Sequence, residues 1–270
     1  PMARQSAEQQ FTKLVSEQIP AAYDIELAYS KTTSRYCPYP PEFNENAIRL
    51  LNEGSLFYVY VGHGFRKGFD EITWKKKRYP IFNLRHVPRI DVKAGLPVMF
   101  VIACSTAFFD ARSGECIGEE LIKKRTGPVA FLGGTRVTQP YVNALIGKAM
   151  ISQVFQKGTE TLGKALLHAK AEILRDDSSS LRKAADRMAG MVQGSENLPL
   201  MRKDGVLHYT LFGDPGLRIR KPSESITLHC RAEIRAGEKL VIRGKTPFSE
   251  GTVTVQLDCL RNEFATKLPK

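Results

Sequence analysis

Apolar and polar positions alternate between helical and strand periods along most of the chain. Residues 4–19 place Ala7, Phe11, Leu14, Val15 and Ile19 at helical spacing, and Pro20 ends that run. Tyr23 to Tyr29 alternates and predicts a strand, while residues 30–42 are polar and proline-rich and predict a loop. Asn44 suits the cap of a helix carrying Ala47, Ile48, Leu50 and Leu51, and Gly54 suits the left-handed position after it. Two runs without polar alternation follow, Leu56–Val61 and Val98–Ala103. Each is short, bounded by turn formers and rich in branched or aromatic residues. Both predict fully buried strands of a parallel sheet covered on its two faces. The order helix, strand, helix, strand is that of a βαβ unit.

The pattern continues past the second strand. A helix is predicted over Glu115 to Arg125, with Ile117, Leu121 and Ile122 facing inward, then a strand over Pro128 to Leu132 that ends in Gly133-Gly134-Thr135. Residues 141–157 and 159–175 predict two amphipathic helices split at Gly158. Residues 176–205 read as polar and irregular, with one short helix near Leu181–Met191. Leu207–Phe212 is apolar, followed by the turn Gly213-Asp214-Pro215-Gly216 and a short strand Leu217–Arg220. Beyond Pro222 the pattern alternates strictly, at Ile226–Arg231, Lys239–Arg243 and Thr252–Leu257, and is sandwich-like. The expected organisation is an α/β domain over residues 1–221 and an all-β domain over 222–270. The second is too short for a whole sandwich of about 100 residues. No internal repeat is present.

Composition narrows the picture without changing it. With 42% hydrophobic and 25% charged residues in 270, a sizeable core is expected. No run approaches the roughly 18 apolar residues of a membrane span, and residues 1–20 lack the apolar stretch of a signal peptide. The sequence opens on Pro1, not a methionine, and reads as a fragment. The net charge is +12, but the basic residues are scattered, and the densest cluster, Lys75–Arg78, lacks the aromatic interleaving of a single-strand binder. No nucleic-acid partner is expected. The 5 cysteines show no C-x-x-C spacing, and His86, His168, His208 and His229 show no ligand spacing. No metal or other cofactor is expected, Gly133-Gly134-Thr135 being neither a phosphate loop nor a dinucleotide fingerprint. Cys230 and Cys259 could pair, and an odd cysteine left over is a candidate reactive thiol.

The chemistry concentrates at two strand ends. The first buried run leads into Gly62-His63-Gly64 and the second into Cys104-Ser105. Parallel strands deliver both to the carboxyl edge of the sheet, where open α/β folds bind ligands. A cysteine beside a histidine at that edge is a nucleophile with its base, the layout of acyl transfer. Gly64 lets the backbone approach a substrate, so the N–H groups of Gly64 and Cys104 are the candidate oxyanion donors. The small neighbours Ala103 and Ser105 keep Cys104 accessible, whereas Cys116, opening a helix, reads as packed. Residues 64–79 read as a long polar loop holding Arg66, Lys67, Asp70, Glu71 and the only tryptophan, Trp74. Asp70 and Glu71 are candidate sources of negative charge for orienting His63 or a substrate.

These segments resemble the gingipain family of cysteine peptidases. The resemblance rests on Leu51-Asn52-Glu53-Gly54, Tyr60-Val61-Gly62-His63-Gly64, Val101-Ile102-Ala103-Cys104, Cys116–Leu121, Thr126–Ala130 and Leu211–Pro215, in that order and spacing, over about residues 5–221. It implies a caspase-like α/β fold with a mostly parallel sheet and helices on both faces, followed by an immunoglobulin-like domain. It gives His63 and Cys104 the dyad roles and Gly64 that of the oxyanion glycine. The implied activity is endopeptidase cleavage through an acyl-enzyme thioester. The alternatives are a sortase-like transpeptidase and a catalytically silent scaffold or surface-binding module. The implied partner is a protein or peptide substrate. The implied location is secreted or at a bacterial cell surface, with cell-surface or secretion-system association. For the specificity pocket, Glu8 and Tyr141 are the positions nearest to the family's acid and aromatic wall. The family's preceding α/β subdomain has no counterpart in this sequence.

Overall fold

In a computed structural model the described residues are 18–20, 23–34, 36–175, 180–221, 224, 226–231, 233–235 and 237–251. The chain forms two compact units, Pro1–Ile219 and Arg220–Lys270. In the first, α1 (Phe43–Asn52) leads into β1 (Phe57–Val61). Two hairpins follow, β2 (Gly64–Phe65) with β3 (Gly68–Phe69) and β4 (Glu71–Trp74) with β5 (Lys77–Pro80). The chain then runs through β6 (Val98–Ile102), α2 (Ile117–Lys123), β7 (Ala130–Gly134), α3 (Pro140–Ile151), α4 (Leu162–Leu174), α5 (Ser180–Gln193), α6 (Leu198–His208) and β8 (Tyr209–Phe212). The main sheet has the order β1-β6-β7-β8, with the first three strands parallel and β8 antiparallel to β7.

β6 is why the sheet is covered twice. All five of its residues are buried, and they divide by parity. Val98, Phe100 and Ile102 enter a core built with α3, α4 and α6. Met99 and Val101 enter a second core with α1, α2 and the hairpins. Each such side chain contributes about 1.5–3 kcal/mol of transfer free energy, so a polar residue anywhere in β6 would damage one core or the other. α1 buries Phe43, Ala47, Ile48 and Leu51, one stripe at helical spacing. Gly54 then takes φ +80°, and a Cβ there would overlap the Ala94 carbonyl.

Several expectations need correction. β1 is not fully buried: as an outer strand of this sheet it exposes Val59 by 41% and Val61 by 52%. Tyr23–Tyr29 is extended but pairs with no described strand. Its alternation reflects half-burial alone, and Tyr23 packs edge-on against Phe155. α1 begins in a 3-10 turn over Pro40–Glu42, so Asn44 lies inside the helix and caps nothing. The supposed loop 64–79 is the two hairpins. The turn of the second consists of Lys75 and Lys76, at φ 46° and 64°. That conformation normally selects Asn-Gly, so the sequence carries no sign of it. Part of the irregular stretch 176–205 is α6, whose Pro199 sits at the start of the helix, where proline is welcome, and does not break it. Leu217–Arg220 forms only a bridge between Arg218 and Thr161.

Other expectations hold. α3 and α4 are separate helices, with Gly158 at φ +65° in the joint. The Asp214 carboxylate accepts from the Gly216 N–H at 2.7 Å, which closes the expected turn. In the second unit an antiparallel pair joins Thr227–His229 to Arg243–Lys245. Cys230 there is an exposed free thiol, and Cys259, its possible partner, lies outside the described residues. The helix expected over residues 4–19 and the strand Thr252–Leu257 lie outside the described residues, apart from residues 18 and 19 of the former.

Candidate active site

The register of the sheet positions the two strand ends. β1 and β6 pair in parallel from Phe57 opposite Val98 to Val61 opposite Ile102. Both strands end just before the candidate pair, so the parallel register brings His63 and Cys104 to the same end of the sheet. The Gly62 N–H still donates to the Ile102 carbonyl at 3.3 Å, so the pairing persists up to the residue before His63. Both residues line one open cleft of about 420 Å³.

The histidine loop is fastened from beneath by Tyr60. Its ring stacks on Phe69 at 4.1 Å, and its hydroxyl donates to the His63 carbonyl at 2.7 Å and accepts from the Asp70 N–H at 3.2 Å. Burial raises the pKa of this hydroxyl, which keeps it neutral and able to donate. Gly62 lies under that hydroxyl, where a Cβ would come within 2.7 Å of the oxygen. Gly64 is packed more tightly still. A Cβ there would meet the Cys104 carbonyl oxygen at 2.6 Å, Ala103 Cβ at 2.7 Å and Thr106 Cγ2 at 2.8 Å. The glycines on either side of His63 therefore serve two close approaches, one to a tyrosine and one to the backbone of the cysteine.

Near the thiol, two backbone donors find no acceptor among the described residues. The pair Phe65–Gly68 flanks a two-residue turn, so Gly64 and Phe69 form the next, non-hydrogen-bonded pair of the ladder. The Phe69 N–H accordingly donates elsewhere, to Phe82 at 2.8 Å, and the Gly64 N–H points out of the ladder. The Cys104 N–H has no acceptor among the described residues.

Past β6 the chain turns along the end of β7. Ser105 adopts φ 53°, a left-handed conformation that costs a non-glycine residue about 1 kcal/mol or more. The ladder-like bonds Ser105 N–H to Arg136 O and Ala107 N–H to Gly134 O, both 2.9 Å, hold it there. The thiol is thereby aimed at Thr138. The Thr138 N–H donates to Cys104 Sγ at 3.3 Å, and Sγ lies 3.6 Å from both the carbonyl and the hydroxyl oxygen of Thr138. The Thr138 hydroxyl also reaches that of Tyr209, which donates to Asn143 Oδ1 at 2.8 Å. No hydrogen bond joins Cys104 to the His63 ring, so the imidazole is a neighbour across the cleft and not a partner of the resting thiol.

Not every predicted residue arrives at this cleft. The Asp70 carboxylate accepts from the Glu71 N–H at 2.8 Å, and Glu71 pairs with Arg78 at 2.7 Å; neither lines the cleft. Tyr141 is buried in the helical layer, donating to Asp186 at 2.5 Å and accepting from Arg202 at 3.0 Å. Glu8 lies outside the described residues. Cys116 is buried at the start of α2, and burial pushes its thiol up to about 11, so it is no rival nucleophile. Arg66, from the loop expected after His63, reaches the cleft, which adds Phe65, Phe108 and Val137, residues that sequence reasoning did not single out. Arg66 NH1 donates to the carbonyls of Ser113 and Gly114 at 2.6 and 2.8 Å, tying the first hairpin to the loop before α2. Only the position of Phe65, directly after Gly64, could have hinted at its place.

Among the described residues no group of three or more His, Cys, Asp or Glu is arranged to hold a metal ion. None of the described helices is long and apolar enough to cross a membrane.

Fold and cleft together define an α/β protein with a thiol and an imidazole at adjacent parallel strand ends, the class that includes Cys–His acyl-transfer enzymes. Residues 2–220 match the model of Peptidase family C25, and the chain belongs to that family of cysteine peptidases. The fold is similar to that of the crystal structure of the Arg specific cysteine proteinase gingipain R (RgpB). The TM-score is 0.52 at 19% identity, over 87% of this chain and 48% of that one. A complex of the Porphyromonas gingivalis RgpB pro- and mature domains matches at TM-score 0.49 and 17% identity, over 87% of this chain and 49% of that one. The chain thus spans about half the length of these structures. No curated protein matches the sequence.

Proposed function

We propose that the chain carries the catalytic centre of a cysteine endopeptidase, with Cys104 as nucleophile and His63 as general base and acid. The observation that supports this reading most is the fit of the Gly64 backbone against Cys104 in a cleft shared with His63. In this mechanism His63 takes the thiol proton and the sulfur attacks the scissile carbonyl. The C–N bond breaks as His63 returns the proton to the leaving amine. Water, deprotonated by His63, then cleaves the thioester and restores the thiol. The N–H groups of Gly64 and Cys104 receive the oxyanion, a role worth about 3–4 kcal/mol per donor in comparable enzymes. The thiol leaves its hydrogen bonds to Thr138 when it turns toward the substrate, as apo contacts of catalytic groups commonly rearrange.

The substrate is a protein or peptide, and the second unit is the beginning of an immunoglobulin-like domain. The site of action is outside the cell or at a bacterial surface, by kinship with the family. An acyloxymethylketone peptide probe tests the mechanism. Covalent labelling is expected on Cys104, lost in Cys104→Ala and reduced at least a hundredfold in His63→Ala. Labelling that survives Cys104→Ala refutes it. Product masses in the presence of a competing amine distinguish hydrolysis from a transpeptidase outcome.

A further inference from the structure

We infer that the cleft selects a bulky apolar side chain, and rejects a basic one, at the substrate residue preceding the scissile bond. The determinants are Phe65, Phe108 and Val137. This inference rests on the peptidase reading above and names the substrate class of that same site.

Three observations carry it. First, the walls beside His63 and Cys104 are apolar and open. Phe65 is 59% exposed and Val137 is 70% exposed, and both line the cleft with Phe108. Large apolar side chains left exposed around a reactive thiol mark a surface that a ligand covers. Their anchoring favours that role. Phe65 lies in a two-stranded hairpin clamped by Arg66, and Phe108 lies under the Arg136 guanidinium at 4.7 Å, so both offer area already fixed in place.

Second, no carboxylate is among the described residues that line the cleft. The acids close to it in sequence are committed: Asp110 to Arg136 at 3.0 and 2.6 Å, Glu71 to Arg78, and Asp70 to a backbone N–H. A lysine or arginine side chain entering here would lose hydration and find no partner. Third, the lining carries the guanidinium of Arg66, which among the described residues meets only neutral carbonyls and no carboxylate, so its charge repels a second cation. Part of its donor capacity is already used, which makes it a poorer seat for an acidic side chain than the three apolar walls are for an apolar one.

The test uses the full chain and a set of acyloxymethylketone probes that differ only in the residue next to the warhead: Phe, Leu, Arg, Lys and Glu. Cys104 labelling is expected to be fastest with Phe or Leu, by roughly tenfold or more over Arg and Lys. Faster labelling by Arg, Lys or Glu overturns the specificity and leaves the peptidase reading intact. Absence of labelling by every probe overturns both. Val137→Asp supplies a carboxylate at a lining position that is largely exposed to solvent. It is expected to raise the Arg rate relative to Phe about tenfold, and an unchanged ranking in that variant also counts against the inference.

Discussion

The sharpest single test of the site is Gly64→Ala, because its cost comes from one packing contact and is not confounded by backbone conformation. Gly64 is not in the left-handed region, so alanine can adopt its φ and ψ. The obstacle is the space: three atoms at 2.6, 2.7 and 2.8 Å from the added carbon. All three belong to the Ala103–Thr106 segment, and they are a backbone oxygen, a Cβ and a branched side chain next to the backbone. None can swing aside. Relief requires the segments to separate by roughly 0.6–1 Å to reach ordinary carbon contact. Forced overpacking of this kind costs about 1–3 kcal/mol of stability. The same displacement shifts the Gly64 N–H relative to Cys104, and a misplacement near 1 Å costs about a hundredfold in rate.

Two readouts are needed, urea unfolding for stability and probe-labelling rate for the site. The control is Gly158→Ala. Gly158 has φ +65° with nothing within 4 Å, so alanine there meets backbone strain in open space, outside the cleft lining. It should cost about 1–2 kcal/mol and leave labelling unchanged. If Gly64→Ala instead unfolds within about 0.5 kcal/mol of the parent and labels at the parent rate, the close approach of the two loops is wrong, and with it the assignment of the Gly64 N–H.

Further outcomes follow from other contacts. Thr138→Val removes the hydroxyl contacts to Sγ and Tyr209 but keeps the N–H bond to sulfur. It should slow Cys104 labelling severalfold with Thr138→Ser close to the parent, and equal rates for Val and Ser would refute a role for the hydroxyl. Cys116, buried and pushed up to about 11, should resist iodoacetamide in the folded protein near pH 8 while Cys104 reacts; mass spectrometry showing both modified alike would contradict the assignment. Replacing Lys75-Lys76 by Asn-Gly should raise the unfolding free energy by about 1–2 kcal/mol, since it removes two strained non-glycine residues. Burial raises the pKa of Tyr58, Tyr60 and Tyr209 from the ordinary 10.0. A raised folded value means that stability is fully present below pH 10 and is lost as pH rises above it, by up to about 1.4 kcal/mol per pH unit for each group. Stability that stays flat well above that point, in parallel with tyrosinate absorbance, would count against their burial.

What was legible in the sequence has a common physical basis. The strands β6 and β7 and the glycine Gly62 are local: their residue types answer to burial on both faces or, for Gly62, to the tyrosine two positions earlier. His63 and Cys104 share one cleft because strand polarity sends both to one edge. What was missed depends on residues distant in sequence. Gly64 is required by Ala103, Cys104 and Thr106, and nothing near Gly64 announces them. Thr138 is 34 residues from the sulfur it holds. The Lys75-Lys76 turn was hidden for a different reason. Its pairing places Trp74 opposite Lys77, and four residue pairs of the hairpin register suffice to hold lysines where glycine or asparagine is the usual occupant.

Loop position and family resemblance point to Asp70, Glu71 and Tyr141 as site residues, yet each makes contacts that hold structure. Glu71 secures the second hairpin through Arg78, Asp70 closes a turn, and Tyr141 joins a buried group with Asp186 and Arg202. The cleft is consequently poor in acid and rich in exposed aromatic and branched surface. Whatever selects the substrate must act through Phe65, Phe108 and Val137, or through groups that come from beyond the described residues. The Val137→Asp variant separates these cases. A carboxylate supplied by another segment would already favour basic probes in the parent chain, and the added one would then change their ranking little.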